Sequence, residues 1–347
     1  MALSDHIFYF SYMQPPPKAD SVLDLWANAD ELSSINASLL TNFLAALQHP
    51  TVGNHLRPKR FMLQTGTKHY AFYLGPAPLP AFESDPRVAL SRNFYYEQED
   101  ALALYCKSVN AAWSVCRPSY IIGAVRDGTL NHLLGFGVYA SVQAHLGQTL
   151  AFPGDYRAWD REQVQSTGLL NAFFEEWLVL SPSSSVQNQA FNIHDGVNFT
   201  WGRVWPMLAK WFGVDWSPPS EKKEAYREVT LPYPQTPRGY GPQAQLRSTF
   251  SLLEWSLQPA VERAWEEMRV RDGLVLDPFD DRYRARVFSF ADSAVIGDAA
   301  MTTSVSKARR AGFLGTVDSY RSVFETLRDM GRLRLIPGMV VDEFREG

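Results

Sequence analysis

Two residues of this 347-residue chain combine a type and a setting suited to carbonyl chemistry. Lys68 follows an apolar, strand-like run, and Tyr95 stands at the start of a helical run. A phenol in a dry cleft donates a hydrogen bond to a substrate carbonyl oxygen and stabilises negative charge that develops there. A nearby ammonium group lowers the pKa of a phenol from about 10. The pair therefore predicts reductase chemistry, with Lys68 lowering the pKa of Tyr95.

Taken singly, each residue has an ordinary structural explanation. Residues 94–96 form an aromatic run of the kind that a hydrophobic core uses, and Lys68 is a charge that a loop normally exposes to water. The complete pattern around both residues is what favours the catalytic interpretation.

Other catalytic chemistries find little support in the sequence. The seven histidines lack metal-ligand spacing and neither HExxH nor CxxC occurs, so no metal site is predicted. The G-x-S-x-G turn of a serine hydrolase is also missing. Two lone Gly-x-Gly patterns, residues 135–137 in a helical run and residues 239–241 in a Pro-rich stretch, do not amount to a dinucleotide-binding turn.

Four segments together resemble the progesterone 5-beta-reductase/iridoid synthase branch of the extended short-chain dehydrogenases/reductases. They are residues 63–70, 93–100, 113–123 and 191–196, the last of which is expected to be structural. The resemblance implies that Tyr95, rather than Tyr96, holds the substrate oxygen and that Lys68 is its electrostatic partner. It also implies that NADPH is contacted by the turns after two strands, at Thr65, Gly66, Arg117, Pro118 and Ile121. Tyr120 departs from the family's small polar residue, and a phenol there would crowd the nicotinamide.

Members of this family use NADPH to reduce an activated C=C bond, with hydride going to the carbon β to a carbonyl. The resemblance therefore implies a reductase of an enone, enal or carbonyl in a small apolar metabolite of specialised metabolism. Aromatic residues of 131–160 and 200–213 would shape its pocket. Two alternatives stay open: a cofactor-independent isomerase or cyclase that uses the same oxyanion site, and a non-catalytic homologue.

The phosphate-binding part of the cofactor site has no counterpart in the sequence. A dinucleotide fold opens with a strand, a Gly-rich turn and a helix. Here the first strand, residues 7–10, is similar to the family's fourth, which implies an N-terminally truncated Rossmann-like sheet. Three explanations stay open: a truncated gene product, a paralogue with cofactor-free chemistry, or a weakly folded relic. The exposed sheet edge favours a homodimer or cover by the Pro-rich stretch, residues 216–242.

Strands alternate with helices along the part of the chain that must position these residues. Apolar runs predict strands at residues 7–10, 61–63 and 113–116. Helices are predicted over residues 20–48, 96–109, 131–146, 160–179, 250–268 and 317–330, and residues 288–295 are apolar. This alternation predicts an α/β fold with a ligand crevice at the carboxyl ends of parallel strands. Its parts are a Rossmann-like core (1–125 and 185–202) and a mostly helical substrate-binding region (126–184 and 203–347).

The composition predicts the cellular setting. The net charge of −4 and the lack of basic blocks argue against nucleic acid as a partner. Cys106 and Cys116 are too few for a disulfide framework and are expected to be free buried thiols in a reducing compartment. The chain start lacks signal-peptide features, and no apolar run approaches the roughly 18 residues of a membrane span. We expect a cytoplasmic protein whose partner is a small carbonyl substrate rather than a membrane.

Overall fold

A computed structural model describes residues 6–15, 29–53, 58–75, 77–126, 128, 131–230, 245–297 and 301–345. Within them the strands are β1 (His6–Tyr9), β2 (Arg60–Gln64), β3 (Ala112–Pro118), β4 (Tyr120–Ile122), β5 (Leu150–Ala151), β6 (Gln165–Thr167), β7 (Gln189–Ile193), β8 (Trp216–Ser217), β9 (Arg227–Thr230) and β10 (Gln245–Ser248). The helices are α1 (Ala29–Gln48), α2 (Pro50–Gly53), α3 (Phe94–Val109), α4 (His132–Leu146), α5 (Tyr156–Asp160), α6 (Gly168–Leu180), α7 (Trp201–Phe212), α8 (Leu252–Ser256), α9 (Pro259–Asp272), α10 (Arg284–Ile296), α11 (Ser306–Ala311) and α12 (Ser319–Arg332).

The main sheet has four parallel strands in the order β1-β2-β3-β7. Helices α1 and α3 cover one face, where Phe61 and Val115 are fully buried. Helices α6 and α11 cover the other face, over Met62 and Phe191. A parallel sheet covered on both faces requires strands that are apolar along their whole length, which is why short apolar runs were sufficient to predict β2 and β3. The Rossmann-like α/β fold expected from the sequence is confirmed.

Strand β1 lies at the edge of this sheet. It pairs with β2, and no other described strand pairs with its second side. Phe8 and Phe10 point to the face opposite α1, stay 41% and 51% exposed, and stack at 6.3 Å between ring centroids. The described part of the Pro-rich stretch, residues 216–230, contributes β8 and β9, which pair with β5 and β10 instead. Residues 231–244 lie outside the described residues.

A second hydrophobic core joins α4, α7, α8, α9, α10 and α12. Its centre is aromatic: the Phe136 ring lies 4.8 Å from Trp201 and 5.6 Å from Trp205. A Cβ atom on Gly135 would lie 2.7 Å from the Cβ of Ala291, so this glycine allows α4 and α10 to approach closely. The Gly-x-Gly pattern at residues 135–137 thus serves helix packing. Most of the aromatic side chains of 131–160 and 200–213 pack against one another in this core.

Several predicted elements differ from the structure in their bounds. The helix predicted over 160–179 is replaced by α5, β6 and α6, and α6 packs on the main sheet although the sequence had placed it in the substrate-binding region. The helix predicted over 250–268 is split because Pro259 starts α9 as a new helix. The first part of the helix predicted over 20–48 lies outside the described residues.

The structure bears on two predictions, one about the cysteines and one about membrane-spanning segments. Cys106 and Cys116 are both free and fully buried, as predicted. None of the described helices is long and apolar enough to cross a membrane.

Candidate active site

The turns after β2 and β3 meet at the carboxyl edge of the sheet. Thr65, directly after β2, donates from its backbone nitrogen to the Cys116 oxygen at 2.8 Å, and its hydroxyl contacts the same oxygen at 3.3 Å. A 3₁₀ turn, Thr67–Tyr70, follows and carries Lys68. Parallel pairing of β2 with β3 therefore brings Gly66 beside Pro118, as predicted for a ligand crevice at this edge.

The Asn93 side chain links the Lys68 turn to the start of α3. It caps the helix by accepting a hydrogen bond from the Tyr95 backbone nitrogen at 3.2 Å, and it donates to the Lys68 carbonyl at 2.9 Å. A single amide thus fixes the backbone of both predicted catalytic residues. The Nζ atom of Lys68 lies 3.7 Å from the centroid of the Tyr73 ring, a cation–π contact within the same turn.

The neighbouring tyrosines of α3 have different environments. The Tyr96 hydroxyl donates to the His69 carbonyl at 2.5 Å and accepts from the Val88 backbone nitrogen at 3.0 Å. The Tyr95 hydroxyl has no hydrogen bond to any described residue and lies beside Gly66. A Cβ atom on Gly66 would be 3.3 Å from that hydroxyl and 3.4 Å from the Pro118 carbonyl oxygen. Of these two tyrosines, only Tyr95 has a hydroxyl that forms no hydrogen bond with the described residues.

The prediction that Lys68 lowers the pKa of Tyr95 is wrong for this structure. Burial raises the pKa of Tyr95 well above its usual value, because the phenolate would lose its hydration there. The ring of Phe94, 4.4 Å from that of Tyr95, contributes to this apolar setting. Tyr95 is therefore a neutral phenol at physiological pH and a hydrogen-bond donor, the state that an oxyanion site requires.

Three residues of the predicted motifs, His69, Glu99 and Arg117, form a buried network. Arg117 pairs with Glu99 through three nitrogen–oxygen contacts of 2.9, 3.1 and 3.2 Å, and His69 Nδ1 lies 3.4 Å from the same carboxylate. Burial alone would raise the pKa of Glu99, but contact with His69 and the charge of Arg117 lower it to about 2. The Arg117 side chain is thus used in an ion pair, and only its backbone is left for the cofactor contact that the resemblance implies.

This network extends to the end of β7. The Tyr70 hydroxyl donates to Asn192 Oδ1 at 2.6 Å, and Arg117 reaches that hydroxyl at 3.4 Å. The backbone nitrogen of Asn192 also donates a hydrogen bond to Glu83 Oε1 at 2.9 Å. The structural role expected for residues 191–196 agrees with this geometry.

Tyr120 and Ile121 continue the β3 turn as part of β4, which pairs with β6. The Tyr120 ring packs edge-on against His132 of α4 and Phe290 of α10, at 5.1 and 5.8 Å. Ile121 is 37% exposed. His132 and Phe290 belong to the helical region, so Tyr120 connects the turn after β3 with that region.

The sequence did not identify Tyr12 as a residue of this crevice. Its ring lies 5.9 Å from that of Phe94, and its hydroxyl donates to the Gln14 side chain. Burial and the nearby Tyr95 phenol raise the pKa of Tyr12, while Arg286 of α10 lowers it. The available signal was its position just after β1, since the carboxyl ends of parallel strands share one edge.

Comparison with known proteins agrees with this fold and site. Residues 23–231 match the PRISE-like Rossmann-fold domain. The short chain dehydrogenase gsfE of Penicillium aethiopicum is 32% identical over 340 residues, covering 96% of this chain and 79% of that protein. The 3-oxo-Delta(4,5)-steroid 5-beta-reductase of Arabidopsis thaliana is 30% identical over 321 residues, covering 90% and 73%.

Among solved structures, the UDP-glucuronic acid 4-epimerase of Bacillus cereus, in complex with UDP-glucuronic acid and NAD, superposes with a TM-score of 0.54. The match covers 95% of this chain and 76% of that one at 12% identity, so it supports the fold alone. The family match spans more than half of the chain, and the similarity to the two named reductase-type relatives spans nearly all of it. This chain belongs to the PRISE-like Rossmann-fold family and is an oxidoreductase of the short-chain dehydrogenase/reductase type.

Proposed function

We propose that this chain reduces the activated C=C bond of an enone or enal, in a small apolar metabolite of specialised metabolism, with NADPH as the hydride source. The observation that carries the proposal is the contrast between Tyr95 and Tyr96. One hydroxyl is committed to the backbone, whereas the other borders a crevice next to the bare backbone of Gly66.

The backbone of Gly66 lies beside the Tyr95 hydroxyl. A Cβ atom there would be 3.3 Å from that hydroxyl and 3.4 Å from the Pro118 carbonyl oxygen, so the absence of a side chain keeps this side of the hydroxyl uncrowded. Thr65, Gly66, Pro118 and the partly exposed Ile121 would hold the nicotinamide ring. NADPH, when bound there, supplies the hydride that the β carbon of the substrate accepts.

In this mechanism the chain's own residues stabilise the charge that hydride addition creates. Tyr95 donates a hydrogen bond to the substrate carbonyl oxygen. This oxygen becomes an enolate oxygen as the C=C electrons move toward it. Lys68 adds positive charge to the turn that faces this oxygen. The α carbon then takes a proton from water, the carbonyl re-forms, and the product is the saturated ketone or aldehyde.

The phosphate end of the cofactor has weaker support. No described strand is joined to a helix by a Gly-rich turn of the kind that binds a pyrophosphate. We propose that the chain as given binds NADPH mainly through the nicotinamide end, and therefore weakly.

Isotope transfer tests the proposed reaction. The purified chain is incubated with NADPH deuterated at the transferable position and with progesterone, an open-chain enal or benzylideneacetone. Reduction predicts deuterium at the β carbon of a saturated product, found by mass spectrometry, with a loss of signal in Tyr95→Phe. Product formation without NADPH would instead identify the cofactor-independent isomerase or cyclase, and the lack of any product would refute the proposed reduction.

A further inference from the structure

Two buried histidines of this chain differ in a way that indicates a ligand. His194, in the loop after β7, uses both ring nitrogens: Nε2 lies 3.0 Å from the Thr303 carbonyl oxygen, and Nδ1 accepts from the Gly196 backbone nitrogen at 3.0 Å. His132, the first residue of α4, is fully buried, and neither of its nitrogens has a hydrogen-bond partner in the described part of the chain.

The surroundings of His132 offer aromatic rings in place of polar partners. Its imidazole contacts the rings of Tyr120, Phe136, Trp201 and Phe290, with centroids 5.1 to 6.3 Å away. An edge-to-face contact such as that with Trp201 replaces only weakly the hydrogen bond that the imidazole N–H would donate. It gives no hydrogen bond to the other ring nitrogen, which is an acceptor. Burial lowers the pKa of His132 to about 3, so the imidazole is neutral and presents one donor and one acceptor.

Two of the four rings around His132 are partly exposed. Phe136 and Trp201 are completely buried, whereas Tyr120 and Phe290 are partly exposed. Tyr120 belongs to the turn that begins at Pro118, whose carbonyl borders Gly66 near the Tyr95 hydroxyl. The start of α4 is tied to the same turn, because the Asn131 amide donates to the Gly123 carbonyl at 2.6 Å. The rings around His132 are therefore connected, through the turn between β3 and β4, to the backbone beside Tyr95.

We propose that His132 is a specificity-determining residue that hydrogen-bonds a second oxygen of the substrate, a hydroxyl or a second carbonyl, when the Phe290 ring turns aside. The inference rests on the proposed function for one point, that the carbonyl of the enone binds at Tyr95. It narrows the substrate class to enones that carry another oxygen at the far end of an otherwise aromatic pocket. A buried polar group that is satisfied only by its ligand discriminates strongly against analogues that lack the matching oxygen.

Binding measurements separate this proposal from the reductase proposal. The probes are benzylideneacetone and its ortho-, meta- and para-hydroxy derivatives, titrated by calorimetry into the full chain without cofactor. We expect wild type to bind at least one hydroxylated probe about tenfold more tightly than the parent enone, and His132→Leu to lose this preference while keeping its affinity for the parent. His132→Asn, which keeps a donor and an acceptor, should retain part of the preference and remains informative if the leucine variant does not fold.

Thermal unfolding supplies a second readout, which tests whether the His132 nitrogens lack partners in the fold. Removing two unsatisfied nitrogens should raise the melting temperature of His132→Leu by a few degrees, whereas His194→Leu, which breaks two hydrogen bonds, should lower it. Equal affinity of wild type for all four probes, or an unchanged preference in His132→Leu, would overturn the proposal even if enone reduction is observed. A lost preference would support it even if none of the probes is reduced.

Discussion

The adjacent tyrosines of α3 allow catalysis and stability to be separated by single-atom changes. Tyr95→Phe and Tyr96→Phe each remove one hydroxyl oxygen from neighbouring positions of the same helix. In the structure the Tyr96 hydroxyl has two hydrogen bonds, to the His69 carbonyl and from the Val88 nitrogen. The Tyr95 hydroxyl has none among the described residues and lies beside Gly66.

The expected magnitudes follow from these contacts. Two hydrogen bonds worth about 0.5 to 1.5 kcal/mol each give a loss of about 1 to 3 kcal/mol in the free energy of unfolding for Tyr96→Phe. Tyr95→Phe removes no such bond, so its unfolding free energy should change by less than about 0.5 kcal/mol. If Tyr95 is the oxyanion donor, its removal should lower kcat by about 100-fold or more, while Tyr96→Phe should lose much less activity.

Two assays on the same preparations test this pair of expectations. Urea unfolding followed by circular dichroism gives the stability of both variants, and initial rates with an accepted enone give kcat. Equal losses of kcat in the two variants would refute the assignment of roles. So would a Tyr95→Phe variant that is as strongly destabilised as Tyr96→Phe, because that hydroxyl would then have a structural partner.

Four further predictions follow from individual contacts. By calorimetry, NADPH should bind this chain with a dissociation constant nearer millimolar than micromolar, since none of the described strands leads through a Gly-rich turn into a helix that could bind the pyrophosphate. Gly66→Ala should lower kcat by about tenfold or more without changing the melting temperature, because its methyl group would lie 3.3 Å from the Tyr95 hydroxyl on extended backbone. Burial raises the pKa of Glu175 from 4.5 to about 7, so ionising this carboxyl in the folded chain costs up to about 3 kcal/mol. The free energy of unfolding of the wild type should therefore fall as the pH rises from about 4.5 through 7, and that of Glu175→Gln should fall less. Phe10→Ser should reduce self-association measured by light scattering, because Phe10 is 51% exposed beside an open sheet edge.

Matched controls make these predictions specific. Glu176→Gln changes an exposed neighbour of the same helix and should leave the pH dependence of unfolding as it is in wild type. Leu104→Ser removes a side chain that is 72% exposed on α3, away from the sheet edge, and should affect association less than Phe10→Ser. A low-micromolar NADPH constant would show that another segment supplies a phosphate site, and an unchanged kcat in Gly66→Ala would place the reaction elsewhere.

The sequence predicted the elements whose signal is local. Runs of apolar residues located β1, β2 and β3, and helical periodicity located α3, α4 and α12 within a few residues. The short strands β4 and β6 have three residues each, too few for a period to be recognised, and their pairing joins segments about 45 residues apart. The same limit explains why the 160–179 region was expected to be a single helix.

The sequence predicted that the turns after β2 and β3 lie at the carboxyl edge of the sheet, but it did not predict the electrostatics around Tyr95. Residue types alone suggested that the ammonium of Lys68 would dominate the Tyr95 phenol. The structure puts that ammonium on the ring of Tyr73, five residues further along, and buries the phenol, so burial determines the direction of its pKa shift. Distances of this kind depend on how a turn packs, which no spacing in the sequence encodes.

The residues of the recognised motifs have two different tasks. Arg117 and Glu99 form a buried ion pair that joins β3 to α3, and Asn93 joins α3 to the Lys68 turn. None of these three side chains needs to touch a substrate, yet together they fix the backbone on both sides of the Tyr95 hydroxyl. A buried ion pair contributes little net stability but strongly penalises any arrangement that separates its members. The motif therefore holds a neutral phenol at a fixed position, which is the preorganisation that stabilising an enolate oxygen requires.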